Sequence, residues 1–244
     1  MNTTLNRFDP TPLYMQLKNI IRDKISSGEW PVNSIIPSEN ELSKTYGISR
    51  MTVRSVITQF VNEGVLYRIQ GKGTFVSEAK IEISSLHYIG IREQLEVQGR
   101  EVSTRLISCT HMPANDFLSQ KMGVPLGEEL FKIKRVRATN GSSISYHKSY
   151  VPVALCPDLD QKDLQGEQLC KIMSSDYLLQ RSRVVETMES YIADTTKAGY
   201  LEVFPGFPLI LLEDQLYTAD NTLYEYTRVY FRGDKIKVRI EYNV

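Results

Sequence analysis

The chain has 244 residues, 41% of them hydrophobic, which is enough for one large or two ordinary domains with real cores. Basic and acidic residues balance at 29 each, so no overall excess of either sign marks the whole chain for nucleic acid or membrane. Divided after residue 77, however, the first part holds nine basic against six acidic residues and the remainder 20 against 23, which puts the basic surplus at the amino-terminal end.

Cys109, Cys156 and Cys170 are odd in number and show no CxxC spacing, which argues against a disulfide framework or a zinc site. His87, His111 and His147 likewise have no metal-ligand spacing, and no cofactor or metal is expected. No apolar run approaches the roughly 20 residues of a spanning helix. Met1-Asn2-Thr3-Thr4 does not open a signal peptide, so a cytoplasmic protein without a membrane partner is expected.

In chain order, residues 1–9 read as a frayed leader. Leu13, Leu17, Ile20, Ile21 and Ile25 then mark a helix that starts after Pro10 and Pro12 and stops at Gly28. Ser38 with Glu41 three residues on is a capping-box signature for a second helix, in which Leu42 and Tyr46 are apolar and Gly47 is the stop. Ser49 caps a third, whose apolar stripe is Val53, Val56, Ile57, Phe60 and Val61 and whose flank carries Arg50 and Arg54 near the amino end. Val65–Ile69 and Thr74–Val76 bracket the tip Gln70-Gly71-Lys72-Gly73 as a hairpin, slim enough to enter a narrow groove. Either arginine alone fits an ordinary solvated helix face; the ordered set does not.

These segments, PLYMQLKNIIRDKISSGEW, IPSENELS, GISRMTVRSVI and EGVLYRIQGKGTFV, keep the order and spacing of the winged helix-turn-helix domain of GntR-type bacterial transcription regulators, and Pro12–Val76 resembles it. The resemblance implies that Arg50, Thr52 and Arg54 contact an operator from the recognition helix. It puts Ser38, Glu39 and Asn40 near the DNA backbone and Gly71, Lys72 and Gly73 in the wing. Relatives often carry a basic residue where Asn40 stands.

Residues 78–86 read as a partly extended linker with a weak Ile81/Ile83 alternation, between a DNA-binding domain over 1–77 and a second domain over 87–244. Residues 86–99 resume helical periodicity, Glu101–Thr110 reads as a strand and Ala114–Met122 as a helix. Glu129–Thr139 and Ser142–Val151 flank Asn140-Gly141, a strong hairpin signal. Alternation puts Phe131, Ile133, Arg135 and Arg137 on one face, so two guanidinium groups extend an apolar row. Such groups are costly to bury unless paired, and their fork suits a carboxylate or phosphate. Leu209–Thr218 and Leu223–Phe231 flank a turn at Asp220-Asn221, and Leu223, Glu225, Thr227, Val229 and Phe231 are expected on one face. A ligand cavity and a buried ion pair between these groups both fit the pattern.

The segments KIKRVRATNGSSISYHKSYVP and ADTTKAGYLEVFPGFPLILLEDQLYTADNTLYEYTRVYFRGDKIKV resemble the effector-binding (UTRA) domain of the HutC branch of that family. The resemblance implies an α+β chain of two domains, a winged helix-turn-helix followed by a chorismate-lyase-like antiparallel sheet with helices. It implies that Arg135, Arg137 and Glu225 line an effector cleft. Sugar-phosphate-binding relatives commonly carry a glutamate where His147 stands and a serine near Gly90; His147 is expected either as an effector contact or as a satisfied structural residue. The function implied is a homodimeric regulator, a repressor, bound to double-stranded operator DNA and released by a small anionic effector. An enzyme on a lyase-like fold and a ligand-independent DNA-binding protein are the other readings. No recognisable nucleophile elbow is present for the first.

Overall fold

The computed structural model describes residues 4–69, 71–78, 80–84 and 90–241, and the chain divides into two compact units, Met1–Lys80 and Ile81–Val244. In the first unit, helices α1 (Leu13–Ser26), α2 (Glu39–Tyr46) and α3 (Arg50–Asn62) precede an antiparallel ribbon of β1 (Leu66–Ile69) and β2 (Gly73–Val76). The helical spacing of apolar residues makes the core: Leu17 and Ile21 of α1, Leu42 of α2, and Val53, Val56, Ile57 and Phe60 of α3 are buried together with Leu66 and Val76. The ends follow local chemistry. The Ser38 amide donates to the Glu41 carboxylate at 2.8 Å while the Glu41 amide donates to Ser38 Oγ at 3.3 Å. Gly47 closes α2 at φ +61°, a conformation that strains any residue with a Cβ.

Two expectations change in this unit. The stretch read as frayed, residues 1–9, is held over its described part. The Asn6 amide donates to Gln16 Oε1 at 2.8 Å, Gln16 Nε2 donates back to the Asn6 carbonyl at 2.9 Å, and Arg7 Nη2 donates to the Gly47 carbonyl at 2.8 Å. A glutamine side chain both donates and accepts, so one residue can tie down a passing backbone. The ribbon also has a third partner: the Asn33 and Ile36 amides donate to the Val76 and Thr74 carbonyls, both at 2.9 Å, along the free side of β2. Gln70, at the expected ribbon tip, lies outside the described residues.

The second unit runs β3 (Ile81–Ser84), α4 (Ile91–Val97), β4 (Val102–Pro113), α5 (Asp116–Met122), β5 (Glu129–Thr139), β6 (Ser142–Pro152), α6 (Leu169–Asp176), β7 (Arg183–Ile192), α7 (Thr195–Leu201), β8 (Pro208–Tyr217), β9 (Leu223–Arg232) and β10 (Ile236–Arg239). Six of these strands form one antiparallel sheet in the order β4-β5-β6-β9-β8-β7. Asn140 at φ +50° and Gly141 at φ +72° make the β5–β6 turn, the paired left-handed geometry that favours Asn-Gly in tight hairpins. Strand alternation then sorts side chains to two faces. Phe131, Ile133, Val151 and Leu216 pack with Leu169, Ile172 and Met173 of α6, and Leu212, Val229 and Phe231 with Ile91 and Leu95 of α4. The opposite face carries Val136, Tyr146, Leu211 and Tyr230 against α7 and Leu130, Tyr150 and Tyr226 against α5.

The linker reading of residues 78–86 is corrected over Ile81–Ser84, which forms β3 in parallel with β10, Ile81 opposite Ile236. Its alternation is the inward face of a strand, with Ile81 and Ile83 both buried, and the partner that makes it a strand comes from the far end of the chain. Ala79, Ser85 and Leu86 of that segment lie outside the described residues, as do residues 86–89 of the helix expected over 86–99, His87 among them. The strand expected to end at Thr110 continues to Pro113, because β5 pairs with it down to Glu129. Among the described residues no helix is long and apolar enough to cross a membrane.

Candidate functional site

Two surfaces carry the residues singled out from the sequence, one in each unit. In the first, Ser49 caps α3: the Thr52 amide donates to Ser49 Oγ at 3.1 Å, and Thr52 Oγ1 lies 2.8 Å from the same oxygen. Thr52 is thereby half-buried against the cap, while Arg50 and Arg54 are exposed one turn apart. A groove of about 800 Å³ runs between the amino ends of α2 and α3 and the ribbon. It gathers Ser38, Glu39, Asn40, Arg50, Lys72 and Gly73, whereas Thr52, Arg54 and Gly71 lie outside its lining. Gly71 and Gly73 sit at φ +74° and +127°, so the ribbon's turn needs residues without a Cβ.

Sequence reasoning missed Arg68. Its Nη2 donates to Glu39 Oε1 at 3.0 Å and to Thr58 Oγ1 at 3.3 Å, tying β1 to α2 and α3. Glu39 therefore fixes the ribbon's angle besides lining the groove. At this exposure the ion pair contributes little stability, and its role is geometric.

In the second unit, Arg135 and Arg137 on β5, His147 on β6 and Glu225 on β9 come together as walls of one cavity of about 70 Å³. Its remaining polar walls are Gln168 at the head of α6, Arg181 before β7, Asp214 on β8 and Thr227 on β9. Cross-strand register explains the meeting: Arg135 stands opposite His147 and His147 opposite Val229, while Asp214 stands opposite Thr227 and Glu186. One member of the expected β9 row is corrected. Leu223 joins the opposite face with Leu130 and Tyr226, because a register shift at Leu216/Tyr217 turns Tyr224 to the cavity side instead.

Arg135 is 3% and Arg137 7% exposed, and Nε and Nη1 of both are buried with no hydrogen-bond partner. Burial works against both charges, and with the repulsion of Arg135 it pushes Arg137 down to about 9. Glu225 does not close on either of them. Its Oε1 accepts from Thr227 Oγ1 at 2.6 Å, and Thr227 lies 2.8 Å from Ser149 Oγ. Since a carboxylate only accepts, Thr227 spends its proton on Glu225 and takes that of Ser149. His147 Nε2 lies 2.8 Å from Ser145 Oγ, and burial next to two guanidinium groups holds its pKa well below the ordinary value. It is a wall residue with its own partner in Ser145. At Gly90 a Cβ would stand 3.1 Å from Gln168 Oε1, so Gln168 crowds any side chain larger than hydrogen there.

Asp214 is 1% exposed and stands beside Glu186, with which its carboxyl shares a hydrogen bond. Burial, Glu186 and Glu225 raise its pKa to about 8, against the pull of Arg181. The signal that finds Arg135 finds it too, for Ile210, Leu212, Asp214 and Leu216 alternate as an apolar row with one charge in it. Arg181 stands outside the strands and leaves no such mark.

Comparison with known proteins bears on both surfaces. The model of the "UTRA domain" matches residues 97–237, more than half of the chain, and that of "Bacterial regulatory proteins, gntR family" matches residues 13–76. The chain belongs to the GntR family. Among relatives of this GntR protein, the HTH-type transcriptional repressor NagR of Bacillus subtilis is 30% identical over 231 residues, 95% of each chain. The histidine utilization repressor of Pseudomonas putida is 27% identical over 210 residues, 86% of this chain and 84% of that one. The crystal structure of PhnF from Mycobacterium smegmatis superposes with a TM-score of 0.68 at 21% identity, covering 96% of this chain and all of that one, which establishes the shared fold. The GntR protein is a DNA-binding transcription regulator with a UTRA effector domain, in a family of regulators and not of enzymes.

Proposed function

We propose that this GntR protein is a homodimeric repressor that holds a palindromic operator and releases it when a small anionic metabolite enters the cavity of its second unit. One observation carries the effector half: two fully buried guanidinium groups face a cavity with nitrogens that no protein group satisfies. A buried cation left so costs several kcal/mol, and an anion accepting from both forks would remove that cost. Repressor is the word used for both relatives above. For the operator half, the recognition helix presents Arg50 and Arg54, with Thr52 between them, and the ribbon presents Gly71, Lys72 and Gly73. Two such readers related by a twofold would meet half-sites about one helical turn apart.

A cavity of about 70 Å³ is well below the ~300 Å³ or more of ordinary metabolite pockets, so binding must push a wall outward. Gly90 and Ile91 at the head of α4 are part of that wall. Helix α4 is clamped to β3: the Ser84 amide donates to Gln94 Oε1 at 2.7 Å, and Gln98 Nε2 donates to the Glu82 carbonyl at 2.8 Å. Strand β3 follows directly on the DNA-binding unit, so displacement of α4 pulls on the connection to the readers. Allostery of this kind needs only that the effector prefer the widened cavity.

The test separates the two units. Arg54→Ala should weaken operator binding in a gel shift at least tenfold while effector-induced thermal stabilisation persists. Arg135→Ala should keep operator binding and lose both the stabilisation and the release. Unchanged operator affinity in Arg54→Ala would remove the recognition-helix assignment.

A further inference from the structure

Resting on the reading of α3 as the operator-reading helix, we propose that Met51 recognises a thymine in each operator half-site by packing its side chain on the thymine 5-methyl group. The helix period places the residue. Val53, Val56, Ile57 and Phe60 are the buried residues of α3. At about 100° per residue, the direction opposite the middle of that stripe falls on Met51, with Arg54 and Ser55 to either side of it. The exposures agree. Met51, Arg54 and Ser55 are all exposed, Met51 at 72%, and it is the one exposed large apolar side chain among the described residues of α3.

Thr52 is turned the other way. It is half-buried, its amide donates to Ser49 Oγ at 3.1 Å, and its hydroxyl lies 2.8 Å from the same oxygen, so its polar groups belong to the cap. Arg50 lies toward the groove that it lines with Lys72. Of the three residues that open the helix, the outermost is therefore the methionine. A placement of α3 that lets Arg50 and Arg54 both reach into a major groove carries Met51, next to Arg54 on the outer face, against the base edges.

Chemistry then selects the base. Every base pair offers hydrogen-bonding groups in the major groove, and thymine alone adds a methyl. A methionine side chain has no donor and only a weakly accepting sulfur, so it gains little from an amino group or a carbonyl oxygen. It is unbranched and polarisable, and it closes on a methyl group by dispersion and by excluding water. The two arginines supply attraction to phosphate and guanine, and neither senses that methyl. A lone exposed methionine is also common on surfaces that bind nothing, so the decisive measurement is one that changes the methyl and nothing else.

The experiment first selects duplexes from a random pool with the full chain. Each thymine of the selected half-site is then replaced by deoxyuridine, in one half and in both, which removes the methyl and leaves the pairing intact. Affinities are read by fluorescence anisotropy at fixed salt. The expected result is one thymine per half-site whose replacement weakens wild-type binding about fourfold in one half and about tenfold or more in both. In Met51→Ala the affinity for the thymine duplex falls by a similar factor and the thymine-to-uracil ratio drops to about one, with unchanged thermal unfolding to verify the fold. Met51→Leu keeps most of the ratio, and Arg54→Ala weakens binding to both duplexes while leaving the ratio as it was. A wild-type ratio near one at every thymine, or a ratio that survives in Met51→Ala, overturns the role of Met51. So does an equal loss on both duplexes in Met51→Ala, which marks a contact to the DNA backbone instead. If the selection enriches no sequence at all, the operator reading fails and takes this proposal with it.

Discussion

Arg135 and Asp214 each put a charged group at a position where strand alternation demands an apolar one; Arg135 is buried with Nε and Nη1 unsatisfied, and Asp214 is buried against a second acid, Glu186. The consequence for Arg135→Ala is twofold. The variant loses the anion's main contact, and it also loses a desolvated charge, so the free protein should melt at the same temperature or above the wild type, with no further rise on adding the effector. For Asp214 the sign follows from a folded-state pKa of about 8 against an unfolded value near 4. A raised pKa gives stability that is complete below the unfolded value and is lost as pH rises toward 8. The wild type should therefore lose more stability between pH 5 and pH 8 than Asp214→Asn, by roughly 3–4 kcal/mol, measured by urea unfolding at both pH values. A difference of zero would mean that Asp214 is ionised in the fold.

Secondary-structure elements here owe their ends to side chains and their existence to neighbours. The reciprocal Ser38–Glu41 cap fixes the start of α2, which lines the groove. Ser38→Ala should cost about 1 kcal/mol in chemical unfolding, since it leaves an amide unsatisfied at the helix start. Strand β3 is the contrasting case, too short and weakly patterned to stand without β10 and α4. Ile83 is 2% exposed in the cluster that joins β3 to α4, so Ile83→Ala should cost roughly 2–4 kcal/mol. If α4 transmits the effector's arrival through β3, a stable double variant Gln94→Ala, Gln98→Ala should keep effector affinity within a few fold and lose most of the operator release. Release that survives in that variant would direct the search for the coupling elsewhere.

For the whole molecule, the sheet edges bear on assembly. The six-stranded sheet ends in β4 and β7, two long edge strands with unpaired backbone groups. Val185, Met188 and Ile192 on β7 are 37%, 40% and 64% exposed, an apolar edge that isolated proteins generally protect. These features support the homodimer that a palindromic operator calls for. Sedimentation at micromolar concentration should give twice the chain mass, and Met188→Lys should shift the distribution toward monomer if β7 is the contact. A monomeric wild type in the presence and absence of DNA would remove the dimer.

The amino-acid sequence was sufficient for everything that depends on neighbours within a few residues. The caps at Ser38 and Ser49, the Asn140-Gly141 hairpin, the apolar stripe of α3 and the misplaced arginines of β5 all follow from spacing alone, because helices and hairpins close over three or four residues. It also placed Arg135, Arg137, His147 and Glu225 as candidates, and the same alternation held the mark of Asp214. Only the folded chain could decide that β3 is a strand and not a linker, that Arg68 holds Glu39, that Leu223 turns away from the cavity, and that Asp214 faces Glu186 and Thr227. Each of those depends on a partner brought in by sheet register or by a distant segment, and local periodicity carries no information about which distant segment that will be.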